Sequence, residues 1–142
     1  MMIESSIVKY NDEVVTIDIG EPASVEFNFE KMWEFQRKKK SKGNWDPKLL
    51  NYYHVHPEGM LWYSQTDLNC AKGFHLAFGA CFNFHIITYR NSILTDEFYK
   101  SVSFYYNPEY PDRLIQESDS QGLDGYSVYL LKALSYGHVN LL

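Results

Sequence analysis

Short β-forming runs alternate with helical patterns along this chain, and that alternation constrains the fold more than any other feature. Residues 3–10 are rich in β-formers, Asn11-Asp12-Glu13 reads as a turn, and residues 14–19 read as a returning strand, so the chain opens with a predicted hairpin. Gly20-Glu21-Pro22 breaks the pattern. A helix is predicted over 29–40, with Asn28 as its cap, Gly43 as its stop, and an apolar stripe of Phe29, Met32 and Trp33 with Gln36. That stripe is expected to face the core. Residues 49–54 read as a buried strand, 65–79 as a helix, 82–89 and 101–106 as strands, and 126–136 as a last helix. Pro108 and Pro111 mark a loop, and residues 118–125 are a polar, Gly-containing connection expected to be mobile. The order β-β-α-β-α-β-β-α predicts a mixed α/β layer fold.

At 142 residues the chain is long enough for one domain with its own core, and a single domain over 1–142 is expected. The net charge of −5 argues against a general nucleic-acid binder. The basic run Arg37-Lys38-Lys39-Lys40-Ser41-Lys42 falls at the predicted end of the first helix, where cations complement the macrodipole. Two cysteines, Cys70 and Cys81, show no CxxC spacing, so a disulfide framework is not expected and a reducing compartment fits. Neither a signal peptide nor a run of ~18 apolar residues is visible, so a cytoplasmic protein with no membrane partner is expected.

The chemistry concentrates in the stretch from His54 to Asp67. His54 and His56 stand two apart at a strand end, so their rings are expected on one side of the sheet. Pro57 stops the strand and leaves the pair at a sheet end. Asp67 follows in the first turn of the next helix, where the helix N-terminus favours a carboxylate. Two imidazoles and one carboxylate form a common catalytic zinc set with one position left open. A cation there acidifies water and polarises a carbonyl. The same residues also have a plainer reading. His-x-His can be two polar residues facing solvent, and Ser64 with Asp67 matches a helix capping box. Capping and metal binding are compatible, because the cap fixes the helix start that presents Asp67.

The full pattern, H-x-H-x7-S-x2-D, followed by an apolar helix and strand, resembles the JAMM (JAB/MPN) family of zinc metalloproteases. The resemblance extends over about residues 4–106 and is specific at His54, His56, Pro57, Ser64 and Asp67. It implies a curved mixed β-sheet flanked by helices, similar to the deaminases, and a zinc ion held by His54, His56 and Asp67. It implies that Ser64 steadies a tetrahedral intermediate and that an upstream glutamate moves the proton. The family's order of elements favours Glu4 for that role; Glu13 and Glu26 remain alternatives, and Glu4 can also be read as a surface residue at a frayed end. The implied activity is that of a peptidase or isopeptidase acting on a protein or peptide, such as the tail of a ubiquitin-like protein. A non-catalytic interaction module of the same fold, or a hydrolase of a small-molecule amide, are the other readings. Two departures stand out. Val55 replaces the Ser or Thr usual between the histidines, and the helix that precedes the glutamate in the family is not seen before Glu4. The last helix is expected to cover the sheet face that this leaves open. His85 is expected to pack or hydrogen-bond within its strand, and His75, Cys70 and His138 match no ligand position of the family.

Overall fold

A computed structural model of the chain describes residues 3–20, 28–79, 83–89, 99–117 and 125–137. The predicted hairpin is present as β1 (Ser5–Tyr10) and β2 (Glu13–Ile19). There follow α1 (Phe29–Ser41), β3 (Leu50–Val55), α2 (Gln65–Phe78), β4 (Asn83–Tyr89), β5 (Tyr99–Tyr106), β6 (Leu114–Glu117) and α3 (Gly125–Tyr136). A short 3₁₀ turn, Pro47–Leu49, leads into β3. The six strands form one open mixed sheet in the order β2-β1-β3-β4-β5-β6. Only the β3–β4 pair is parallel among the described strands, because α2 is the crossover that a parallel connection requires. Strand β6 has no counterpart in the sequence reading. Its four residues, Leu-Ile-Gln-Glu, are too short for an alternation signal, and they are defined by pairing with β5 from Ser103↔Glu117 to Tyr106↔Leu114.

Helices α1 and α2 lie on one sheet face and α3 on the other. Val8, Tyr52, Phe84 and Phe104 point from successive strands into a core shared with Met32 of α1 and with Leu68, Phe74 and Phe78 of α2. The residues between them in sequence, Ile7, Tyr53, Val55 and Ile87, form the second core against Leu130 and Leu131 of α3. The period of two along each strand thus divides the apolar residues between two layers. The expectation that the last helix covers this second face is met: Ile3 N–H donates to the Ser135 carbonyl at 2.9 Å, and the Tyr89 hydroxyl donates to the Val128 carbonyl at 2.6 Å.

The ends of α1 follow the sequence closely. Asn28 Oδ1 accepts from Lys31 N–H at 3.1 Å. At the other end Gly43, with φ +72°, donates to the Lys40 carbonyl and Asn44 donates to the Lys39 carbonyl. This paired closure needs a left-handed residue, which glycine supplies without steric cost. The basic run sits at this end and is mostly exposed, with Lys39 lying over the Tyr10 and Phe35 rings. One expectation about α1 is corrected. Met32 and Gln36 are buried, but Phe29 and Trp33 are 43% and 46% exposed, with Phe29 stacked on Phe78 and Trp33 tilted against it. The 118–124 connection, Glu26, Cys81 and His138 lie outside the described residues.

Candidate metal centre

Three chain segments converge at the end of the sheet where β3 stops. Glu4 directly precedes β1, and its carbonyl accepts from Gly20 N–H at 2.9 Å, so the hairpin pairing extends to it. His54 sits on β3 opposite Ser6 of β1, which brings Glu4 and His54 together although they are 50 positions apart. His56 lies one residue past β3, yet its N–H still donates to the Ile87 carbonyl at 3.0 Å. It therefore keeps the strand's alternation and faces the same side as His54. The two rings are 4.7 Å apart between centroids and nearly perpendicular. Val55 points the opposite way, fully buried against Ile87 and α3, so the departure at that position does not touch the site.

Asp67 arrives from α2. Ser64 caps the helix with both halves of a capping box: Asp67 N–H donates to Ser64 Oγ at 3.1 Å, and Ser64 N–H donates to Asp67 Oδ2 at 2.8 Å. The carboxylate is thereby held at the helix N-terminus and turned towards the histidines. His54 Nδ1 is 3.0 Å from Asp67 Oδ1, and His56 Nε2 is 3.1 Å from Asp67 Oδ2. On its other side His54 Nε2 is 2.6 Å from Glu4 Oε1. All four side chains are buried: Glu4 5%, His54 7%, His56 6% and Asp67 2% exposed. The reading of Glu4 as a frayed surface residue is thus set aside. Glu13 is exposed and pairs with Tyr10, at the opposite end of β1 from the site.

The electrostatics follow from this crowding. Burial alone would lower the His54 pKa, but hydrogen bonds and charge attraction from Asp67 and Glu4 outweigh it and raise the pKa to about 9. Burial would raise the Asp67 pKa, yet the two imidazoles and the Ser64 N–H hold it well below the usual carboxylate range. The His56 ring is held by a backbone contact. Its Nδ1 lies 3.0 Å from the Met60 carbonyl, which can only accept, so Nδ1 carries the hydrogen. Its Nε2 faces an Asp67 carboxylate oxygen at 3.1 Å, a contact that a proton or a cation would bridge.

That donor set fits a metal. Glu4, His54 and His56 each offer one ligand atom within 4.8 Å of the other two, and this buried group could hold a metal ion. Asp67 is not part of that group: it meets His54 at Nδ1, the ring nitrogen away from Glu4, at 3.0 Å, and His56 at Nε2 at 3.1 Å. A divalent cation there would take the place of the proton that Asp67 and Glu4 hold on His54. The contact from His56 Nδ1 to Met60 is the kind of outer hydrogen bond that fixes a metal-binding tautomer.

No protein-family model and no curated protein matches the chain. The functional reading therefore rests on the site itself.

The remaining singled-out residues do not join this group. His75 lies on α2 against the Tyr106 ring. Cys70 is near enough to Asp67 and Asp18 to feel both charges, and burial with those charges pushes its thiol up to about 12. His85 is fully buried on the α3 side, between Ser103 Oγ at 2.7 Å and Asn51 Oδ1 at 3.0 Å, and stacked on Tyr53. The i, i+2 spacing anticipated that His54 and His56 share one side, whereas the buried group that could hold a metal joins them to Glu4 and not to Asp67. The double engagement of His54 by two carboxylates was not legible, because it depends on β1 pairing with β3.

Proposed function

We propose that this chain is a metal-dependent hydrolase of the JAMM type, a peptidase or isopeptidase, with His54, His56 and Asp67 as zinc ligands. The observation that carries the reading is the buried group of Glu4, His54 and His56, whose ligand atoms lie within 4.8 Å of one another, with the Asp67 carboxylate against both imidazoles. A structural role alone leaves this concentration unexplained, because burying charge is costly unless it is put to use. When bound, zinc would polarise the substrate carbonyl and acidify a water. The chain's own groups do the rest. Glu4 Oε1 takes the proton from the attacking water and returns it to the leaving amine. The exposed Ser64 keeps its O–H free of the capping interaction, in which its oxygen only accepts, and that hydroxyl is the donor for the developing oxyanion. The Met60 carbonyl holds the His56 ring in place.

The test joins metal analysis to cleavage of a peptide library and of a ubiquitin-like isopeptide conjugate. The wild-type chain is expected to carry about one zinc and to cleave, and Glu4→Gln to keep the zinc and lose cleavage. If Glu4→Gln loses zinc as well, Glu4 is a ligand and the proton falls to another group. A chain that binds no divalent metal sinks the reading. A metal-loaded chain that cleaves neither kind of amide points to the non-catalytic module.

A further inference from the structure

A second polar cluster lies on the same sheet face, next to the metal-site residues. Ser6 pairs with Asp18 across the hairpin, and Thr16 pairs with Val8. Val8 points into the core beneath α1 and α2. By alternation Ser6, Thr16 and Asp18 face the same way. Ser6 is also the cross-strand partner of His54 and stands two residues from Glu4. Ser6 and Thr16 are each 1% exposed. Ser6 Oγ, Thr16 Oγ1 and Asp18 Oδ2 are buried and make no hydrogen bond, and no other buried side-chain atom among the described residues is orphaned in this way. Three orphans on one patch of two strands are not scattered packing faults.

Other polar groups close the patch from above. The Asn28 backbone N–H and the Lys31 charge at the start of α1 reach the Asp18 carboxylate. Thr16 leans towards that carboxylate, near enough to influence it but without a fully formed hydrogen bond. The fully buried Tyr52 has its phenol within reach of Ser6 and within the fields of Cys70 and Asp18. Polar groups from β1, β2, β3 and the start of α1 thus border this patch.

We propose that Ser6, Thr16 and Asp18 line an internal hydration site, in which ordered water donates to Asp18 Oδ2 and bridges the two hydroxyls behind Glu4 and His54. The chemistry selects water. Each hydroxyl can donate or accept and the carboxylate oxygen accepts, which matches the roughly three partners that a buried water takes. The three oxygen atoms are buried, although Asp18 as a whole is only half-buried. The Lys31 charge already opposes Asp18, which leaves no call for a second cation. Orphaned buried oxygens are rare for the same reason that water fills such places: an unpaired polar atom loses its hydration and gains nothing in return.

The experiment uses the full chain. Hydration NOEs between water and the side-chain protons of Ser6 and Thr16, with ¹⁷O relaxation dispersion to count long-lived waters, read the site directly in the wild-type protein. Thr16→Val keeps the shape and removes one partner. If water is bound, Thr16→Val loses a long-lived water and its Tm falls by about 3 °C. A wild type with no hydration NOE at either residue overturns the proposal. So does a Thr16→Val protein with an equal or higher Tm and an unchanged water count, because replacing a dry, orphaned hydroxyl with a methyl relieves strain.

Discussion

The fold buries an imidazole that it must keep neutral, and that has a measurable consequence. His85 sits fully inside the α3 layer, with Nε2–H donating to Asn51 Oδ1 and Nδ1 accepting from the Ser103 hydroxyl. A second proton on the ring would face a hydroxyl with no other acceptor in reach among the described contacts, and burial lowers the His85 pKa from 6.5 to about 4. The unfolded chain binds that proton below pH 6.5 while the native chain refuses it, so His85 takes stability away as pH falls from 6.5 towards 4. At pH 5 the penalty works out at about 2 kcal/mol, and at pH 7 it is close to zero. The assay is urea unfolding of wild type and His85→Gln at pH 7 and pH 5. Glutamine changes stability by a pH-independent amount, so the two-way difference isolates the imidazole from every other titrating group. Wild type should lose about 2 kcal/mol more than His85→Gln between the two pH values. Parallel losses would refute the reasoning and would mean that the ring is protonated in the native protein.

Three further outcomes follow from the geometry. Asp67→Ala removes the acceptor for the Ser64 N–H, one half of the capping box, and the partner of two buried imidazoles, and should destabilise the metal-free chain by about 4 kcal/mol in urea unfolding. Asp67→Asn keeps an acceptor for the Ser64 N–H and should cost about 1 kcal/mol less; equal costs would show that the cap contributes nothing. Cys70, with its thiol held up to about 12, should resist alkylation at pH 8 and react only on unfolding, as read by mass spectrometry of its peptide. Leu131→Ala opens a cavity between α3 and the sheet and should cost about 2–5 kcal/mol, whereas a cost below about 1 would show α3 to be loosely attached.

The sequence was informative wherever a local pattern decides structure. Asn28 and Gly43 bracket α1, and Ser64 starts α2. The i, i+2 spacing of His54 and His56 was enough to place both rings on one side. Glu4 was singled out only by the order of elements in the family the chain resembles; its meeting with His54 depends on β1 pairing with β3. Properties set by neighbours distant in sequence were not legible. Phe29 and Trp33 match a helical core stripe, but each keeps nearly half its surface exposed beside Phe78 of α2. Strand β6 exists because β5 offers an edge. The orphaned oxygens of Ser6, Thr16 and Asp18 are spread over both hairpin strands, and only their register brings them together.

The capping box at the start of α2 makes some changes of chain length harmless and others severe. Ser64 and Asp67 hold each other through two reciprocal contacts, so the pair moves as a unit. Between Met60 and Ser64 the tether has more latitude, provided that the Met60 carbonyl still meets His56 Nδ1. An insertion between Ser64 and Asp67 cannot be absorbed, because one added helical position turns the carboxylate by about 100°. Descendants of this sequence should therefore vary in the length of that tether while keeping the three-residue step intact.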